Sequence, residues 1–486
     1  MNTNRLPVSV LRRLVLSALV FLSACAVGPD YVRPQLDLGT EFLQTPVQDS
    51  EHGQWQRAAV SEAVPDTRWW EVFDDEELNR LMLALDASNP SLEQAQARYQ
   101  QAQANLRQTR SGFFPQLDLS SSAGRSGNQG GVDNSYSLSA NAAWEVDVWG
   151  RIRRETESGT AATQASKADM AATRLSLQST LAQTYIRYRA LEATERLLMQ
   201  TVEAYARSLQ INQVRVQAGY SPLSDAASAR SQLENARTSL LAQARQKALL
   251  FHSLAVLTGQ PPANFALQAG ASWPEQPAIP TAIPTALLTQ RPDITAAERR
   301  MAQANAQIGV AQAAWLPSFS LSASGGYRAA QLSDWFSAPA QFWSLGPALA
   351  LSLFDAGGRA ARVDAAKADY LLQVAAYRES VLTAIREVED ALAEVYGLEQ
   401  EQASNARSLQ AARESLVLMQ NQFEAGLVDY LSLAQVETNL LSVERNELDL
   451  ASERMQAAIR LLVALGGGWD DRLLQEAGQK QDAAPL

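Results

Sequence analysis

Few side chains in this sequence are equipped to make or break bonds. The one cysteine, Cys25, carries a thiol that can accept an acyl group, and with no second cysteine the chain has no disulfide framework of its own. The two histidines, His52 and His252, are widely separated, which argues against a histidine-based catalytic centre or zinc site. There is no phosphate-binding glycine loop, no nucleophile elbow and no cluster of metal ligands. The expectation is therefore a protein that is not an enzyme and needs no metal or other cofactor. Its charge balance, 41 Lys+Arg against 52 Asp+Glu for a net −11, also argues against nucleic acid as a partner. Across 486 residues only 7% are aromatic, with 25 Gly and 19 Pro, a composition that suits long thin helices better than thick cores.

The setting of Cys25 gives its thiol a meaning. Arg5, Arg12 and Arg13 precede an apolar run from Leu14 to Leu22, shorter than the ~20 residues of a membrane crossing and followed by small residues. Residues 1–24 are read as a cleavable export signal. Leu22-Ser23-Ala24-Cys25 resembles the bacterial lipobox, in which the cysteine is acylated before cleavage leaves it as the first residue. The other reading is a plain secretory signal with an incidental thiol. Ala26, rather than Asp, follows the cysteine, which in such lipoproteins favours delivery to the outer membrane. No later segment approaches about 18 consecutive apolar residues, so any crossing of a membrane must be made by strands.

The elements that would position these groups come in duplicate. Asn89-Pro90 opens a helical run closing on Phe114-Pro115-Gln116-Leu117, and Arg291-Pro292-Asp293 opens one closing on Leu316-Pro317-Ser318-Phe319. Val146-Asp147-Val148-Trp149-Gly150-Arg151 matches Phe354-Asp355-Ala356-Gly357-Gly358-Arg359, Gln217-Ala218-Gly219 matches Glu424-Ala425-Gly426, and the run ending at Gly259 matches the one ending at Gly466. Four anchors in one order define a unit of about 200 residues, present twice. The expected organisation is an N-terminal lipid-anchored and equatorial segment at 25–88, a first repeat at 89–259, a crossover at 260–290, a second repeat at 291–468 and a tail at 469–486. The crossover region is rich in proline (Pro261, Pro262, Pro274, Pro277, Pro280 and Pro284), which excludes one continuous helix.

Within each repeat the order is helix, β-hairpin, very long helix, return helix. From Arg151 to Ala218, and again from Arg359 to Ala425, there is no proline and a single glycine, giving rods of about 67 residues or on the order of 100 Å. Leu198, Val202, Tyr205, Leu209, Asn212 and Val216 step by four and three, as do Leu409, Ala412, Leu416, Met419 and Phe423, which is coiled-coil spacing. Both rods end at Ala-Gly, where glycine permits a left-handed cap. Return helices are then expected from about Pro222 to Leu257 and Tyr430 to Leu465. Before the rods the period is two: Tyr136, Leu138, Ala140, Ala142, Trp144 and Val146 alternate with polar or small residues, and so do Phe319, Leu321, Ala323 and Tyr327. Hairpins at 115–147 and 317–354 would supply four strands of about ten residues, near the ~9–11 of a tilted membrane strand, although a soluble half-buried hairpin alternates in the same way.

Four membrane strands cannot close on themselves, and open edges would leave backbone groups unpaired in hydrocarbon. Three copies supply 12 strands. The fold class expected is mainly α with a transmembrane β-barrel portion, internally duplicated: four membrane strands per chain, a 12-stranded barrel per trimer and a long helical coiled-coil barrel. A structural periplasm-spanning coiled-coil lipoprotein is the alternative, which accounts for the rods but not for the duplicated amphipathic hairpins.

The chain resembles the TolC-like outer-membrane efflux proteins, in the NodT-like lipoprotein branch. The resemblance is carried by Cys25 with Val27-Gly28-Pro29-Asp30-Tyr31 and Arg33-Pro34, Trp69-Trp70-Glu71-Val72-Phe73, Arg291-Pro292-Asp293, the two Ala-Gly turns and Leu465-Gly466-Gly467-Gly468-Trp469. It implies a homotrimer lodged in outer-membrane lipid and extending into the periplasm, acting as the passive exit duct of a tripartite pump for small molecules such as drugs. Implied partners are a periplasmic adaptor (membrane fusion protein) and an inner-membrane transporter of the resistance-nodulation-division class.

The resemblance also implies sites. Gly219, Tyr220, Gly426 and Leu427 would lie at the periplasmic tip in reach of the adaptor; for the glycines, a purely conformational capping role is equally open. Acidic residues one to two turns beyond the glycines ring the aperture in such ducts. Carried over by position, these are Ser224-Asp225 in the first repeat, and Ser432 and Gln435 in the second, where relatives commonly place Asp, with Asp429 nearer the tip. The alternative for Asp225 and Asp429 is a helix-start carboxylate favoured by the dipole. Asp147 and Asp355 are expected to fix turns, and Trp144, Trp149, Trp315, Trp335 and Trp343 to lie near strand ends, as a membrane-interface belt or as core packing.

Overall fold

A computed structural model of the chain describes residues 26–34, 68–128, 131–268 and 291–469. Cys25, the signal segment 1–24, most of the segment 25–67, residues 269–290 of the crossover and the tail beyond Trp469 lie outside the described residues. The described residues are mostly helical, with one small sheet. A 3₁₀ turn at Trp69–Phe73 is followed by helices α1 (Glu76–Ser88) and α2 (Pro90–Ser111), strands β1 (Gln116–Asn128) and β2 (Gly131–Glu145), and helices α3 (Arg151–Gln217) and α4 (Leu223–Leu257). The second half gives α5 (Pro292–Ala313), β3 (Ser318–Ala329), β4 (Gln341–Ala350), α6 (Gly358–Glu424) and α7 (Tyr430–Ala464). The paired helices α2 and α5 have 22 residues each, α3 and α6 have 67 each, and α4 and α7 have 35 each.

The chain divides into two compact units. One comprises residues up to 36, 97–168 and 295–380, and its centre is an antiparallel sheet in the order β1-β2-β3-β4. The register sorts its side chains onto two faces. Leu119 pairs with Ala140, Ala140 with Gly325 and Gly325 with Trp343; Leu117 pairs with Ala142 and Ala142 with Ala323; Leu138 pairs with Tyr327, and Trp144 with Leu321. This row is apolar. The alternate row is hydroxyl-rich, with Ser120 and Ser139 oxygens 2.9 Å apart, Ser122 and Ser137 2.8 Å apart, and Ser324 and Ser344 2.7 Å apart. Among the described residues β1 and β4 are edge strands.

The strand limits differ from the sequence reading in two places. The first hairpin is longer than ten residues a side, because Arg125–Asn128 and the residues from Gly131 to Ser135 pair through backbone bonds that their polar side chains do not advertise. The second ends sooner: Leu349, Leu351 and Leu353 continue the alternation, but pairing stops at Ser318 with Ala350. The residue before Ser318 is Pro317, which has no N–H to donate to a ladder.

Asp147 and Asp355 hold the strand-to-helix corners. The Asp147 carboxylate accepts the Ile152 and Arg153 amides at 3.0 and 2.9 Å, and that of Asp355 accepts the Arg359 amide and Nε at 2.9 Å each. These satisfy helix N–H groups that have no intrahelical acceptor. Residues 27–31 are strapped onto the same unit. The buried Arg154 donates to the carbonyls of Val27 and Gly28 at 3.1 Å each and to Asp30 at 2.8 Å, while Asn305 donates to the Pro29 carbonyl and Tyr31 to Glu298. Gly28 (φ +107) lies so close to Gly309 that a Cβ on it would sit 2.4 Å from the Gly309 Cα. The motif Val27 to Tyr31 thus fixes the first described residues to the fold.

The other unit comprises residues 37–96, 169–294 and those from 381 onward. Trp69, Trp70, Phe73, Leu78, Leu81, Met82 and Leu85 are buried in its core. Asp75 caps α1 through the Leu78 amide (2.8 Å) and accepts the Tyr185 hydroxyl (2.8 Å). Arg291 is buried and joins three segments: it grips Asp293 through two nitrogens at 3.0 and 2.7 Å, Glu387 on α6 at 2.7 Å, and the carbonyl of Ala464 at the end of α7 at 3.0 Å.

Candidate functional site

The ends of α3 and α6 turn in the same way. Tyr220 N–H donates to the Arg215 carbonyl at 2.8 Å and Gly219 N–H to that of Val216 at 3.0 Å; Leu427 and Gly426 repeat the pattern to Gln422 at 2.9 Å and Phe423 at 3.0 Å. This is the Schellman cap, and it needs a left-handed residue, supplied by Gly219 (φ +75) and Gly426 (φ +73). No atom lies within 4 Å of where a Cβ would be at either glycine, so the requirement is conformational and not steric. The residues that follow are presented outward: Tyr220 is 82% exposed, Leu427 76% and Leu223 79%.

The polar candidates beyond the turns take different positions. Asp429 is the N-cap of α7, its Oδ1 accepting the Ser432 amide at 2.9 Å and the Ser432 hydroxyl at 2.6 Å. These bonds hold the Asp429 carboxyl below the usual carboxylate range, so it is ionised and already engaged. Asp225 lies in the first turn of α4, its amide bonded to the Pro222 carbonyl at 3.1 Å and its carboxylate 3.4 Å from the Ser224 hydroxyl. Gln435 is exposed one turn into α7. The structure therefore brings Asp429 and Ser432 together and leaves Gln435 on the surface.

Beneath the turns is a cluster the sequence did not single out. Tyr430, the first residue of α7, is buried; its hydroxyl donates to Gln232 Oε1 of α4 at 2.6 Å and accepts from Ser208 Oγ of α3 at 3.2 Å. Gln232 also donates to the Ala434 carbonyl at 3.1 Å. The Tyr430 ring meets Phe423 of α6 edge-on at 6.0 Å, and the Arg215 guanidinium of α3 covers the Phe423 ring at 4.5 Å. One tyrosine and its neighbours thus tie all four helices together.

Two turns further along α7, the Oε2 of Glu437 is shielded from solvent and has no hydrogen-bond partner among the described residues, and burial pushes its carboxyl up to about 7. Burial, and then the Glu437 carboxylate, push the Tyr205 phenol of α3 up to about 12; Tyr430 is raised by burial as well. A sequence signal for this cluster does exist. Tyr430, Leu433, Glu437 and Leu440 step by three, four and three, so a carboxylate stands on the seam between helices where the pattern calls for an apolar residue. Further along the same four helices a cavity of about 1080 Å³ carries Glu401, Asp449 and Glu453 in its wall, with Leu249 and Leu398.

The tryptophans mark both ends of the sheet. Trp144 and Trp149 donate to the carbonyls of Phe113 (3.0 Å) and Pro317 (2.7 Å) at the helix end, and Trp315 lies under the Arg359 guanidinium at 5.0 Å. At the hairpin end Trp335 stacks on Phe336 (5.1 Å) and packs on Tyr136 (5.9 Å), and Trp343 on β4 is exposed. Among the described residues the chain presents a two-faced sheet with edge strands β1 and β4, and helix turns with exposed Tyr220, Leu223 and Leu427.

Comparison with known proteins agrees with that geometry. The family model described as "Outer membrane efflux protein" matches residues 82–260 and 283–467. The chain is 32% identical to outer membrane protein OprJ of Pseudomonas aeruginosa over 471 residues, covering 93% of this chain and 94% of OprJ. It is 28% identical to the solvent efflux pump outer membrane protein SrpC of Pseudomonas putida, over 94% of this chain and 98% of SrpC. The solved structure of the outer-membrane channel OprN superposes with a TM-score of 0.82 at 30% identity, covering 92% of this chain and all of that one.

Proposed function

Because the chain belongs to the outer membrane efflux protein family, we propose that it is the passive exit duct of a tripartite pump, a homotrimeric channel that carries small molecules such as drugs from the periplasm to the outside. The observation that carries this reading is the four-stranded sheet, apolar on one face, hydroxyl-lined on the other and open at β1 and β4. Three copies joined edge to edge would make a closed 12-stranded barrel with its greasy face in lipid and its serine face around the lumen. Aromatic residues at both ends of the sheet fit the two membrane interfaces. Energy for transport would come from an inner-membrane transporter of the resistance-nodulation-division class, coupled through a periplasmic adaptor.

Detergent-purified protein should run as a trimer by mass measurement and conduct in planar bilayers. A water-soluble monomer that never conducts would refute the proposal. An acidic chain whose cavity wall sets Glu394, Glu401, Asp449 and Glu453 against Arg187 and Arg460 favours cations. Reversal potentials in a salt gradient should show cation preference, and anion preference would contradict it. Acylation at Cys25, which would anchor the mature chain in the outer membrane, should appear as lipid mass on the N-terminal peptide and vanish in Cys25→Ser.

The tips separate two roles by substitution. Gly219→Ala and Gly426→Ala should each cost about 1 kcal/mol, because alanine resists the left-handed cap while the exposed side chains stay as they are. Tyr220→Ser and Leu427→Ser should leave stability unchanged but weaken adaptor binding several-fold in a pull-down. Equal adaptor binding by the serine variants would remove Tyr220 and Leu427 from the docking surface. The polar positions Asp225, Asp429, Ser432 and Gln435 are assigned to the aperture in this reading, with Asp429 kept ionised by Ser432.

A further inference from the structure

The tip cluster holds one ionisable group that its hydrogen bonds do not use. Glu437 stands on the seam of α7, with a carboxylate oxygen shielded from solvent and without a hydrogen-bond partner among the described residues. A half-buried carboxyl with one oxygen shielded and lacking a donor is favoured as the neutral acid over the anion. Among the described residues, the groups around it offer no compensating positive charge. From α3 the ionisable neighbour is Tyr205, and on α7 itself it is Tyr430, both phenols held protonated by burial. From α4, Asp225 adds a further negative field at Tyr430, Arg237 is paired with Glu234 at 2.8 Å, and Arg230 is exposed. From α6, Arg413 is held by Glu444 at 3.2 Å, one heptad beyond Glu437. Thr438, next to Glu437, meets Gln232 of α4 at 3.4 Å, so this stretch of α7 lies where the helices are joined.

We propose that Glu437 is a proton-operated latch on the helix tips: as the neutral acid it lets α7 lie against α3 and α4 below the glycine turns, and loss of its proton loosens that packing and frees the tips to part. The latch rests on the reading of the tips as the entrance of a duct. Its direction follows from linkage. In the packed arrangement the carboxyl titrates near 7, and once released it titrates near 4.5, so the packing is fully favoured below the lower value. It weakens as pH rises between the two values and stays weakened above 7. Acid holds the tips closed, and neutrality releases them.

The test is hydrogen exchange of the purified full chain, read on backbone amides of residues 200–240 and 425–445 between pH 5 and 8 after correction for the intrinsic rate. Protection there should fall about tenfold or more as pH rises from 5 to 7 and level off above 7, with amides of the sheet unchanged. Glu437→Gln, which mimics the neutral acid, should keep the protection at every pH. Glu437→Leu, which fills the seam with an apolar side chain, should do the same and guards against a folding defect peculiar to the amide. Protection that is flat with pH in the unmodified chain, or that falls equally in both variants, overturns the latch. The same preparations placed in bilayers separate the two readings. Conductance with no exchange titration removes the latch and keeps the duct, whereas an exchange titration in protein that never conducts removes the duct and keeps a proton-sensitive joint.

Discussion

Gly326→Ala is expected to abolish assembly in the outer membrane, whereas Gly325→Ala, one residue away, is tolerated. Both glycines lie in β3, opposite Ser139 and Ala140 of β2. A Cβ on Gly326 would sit 1.9 Å from the Leu138 carbonyl oxygen and 2.8 Å from the Ser139 Cα, inside the ladder and against backbone that has no rotamer to escape into. On Gly325 the nearest atom would be 3.7 Å away, an ordinary contact, and at Gly346 there is open space. The Gly326 change should cost on the order of 3 kcal/mol by forcing β2 and β3 apart. β2 to β3 is also the pairing that joins the hairpins of the two repeats, so its loss leaves two isolated hairpins, which are at best marginally stable. Membrane fractionation and heat-dependent gel mobility would read the result. Full assembly of Gly326→Ala would show that the register of β2 on β3 is wrong.

The second large effect is expected at Arg291. Replacing it with methionine keeps the apolar stem but removes a guanidinium that serves Asp293, Glu387 and the Ala464 carbonyl together. The two carboxylates are each about two-fifths exposed and can be rehydrated, but the carbonyl at the end of α7 is left without its charged donor. A loss of about 3 kcal/mol follows, measurable as a lowered unfolding midpoint of the purified chain. Arg291→Lys should recover less than half, since one ammonium cannot reproduce a planar fork that grips Asp293 through two nitrogens. A lysine variant as stable as the parent would mean that only the charge matters.

The sequence disclosed the helices more fully than the strands. A run without proline and with a single glycine has one outcome at that length, and α3 and α6 end where Ala-Gly said they would. The strands were legible only where apolar residues alternate. The tip of the first hairpin is polar and is held by backbone bonds, which leave no mark in side-chain type. Conversely, Leu351 and Leu353 continue the alternation but have no ladder partner among the described residues, because β3 begins only at Ser318, after a proline with no N–H to donate. At the turns, the two capping glycines could be placed from the Ala-Gly ends of the rods, whereas Asp429 came only through the family resemblance, with a helix-start carboxylate as its alternative. The roles of Tyr430 and Gln232 could not be read, since a tyrosine and a glutamine on long helices give no hint that they will meet across two chain segments 198 residues apart. Glu437 was legible in principle, as the wrong residue on a regular seam.

The matched helix lengths, 67 and then 35 residues in both halves, restrict how such a chain can change over generations. A single inserted residue turns everything beyond it by about 100° and advances it by ~1.5 Å, which would carry one turn past its counterpart and rotate its seam into water. Drift in length is therefore admissible only when both copies, outbound and returning, are edited in concert, and by whole heptads of about 10 Å each. Descendants of one ancestor should form a ladder of discrete sizes, with intermediate rungs empty.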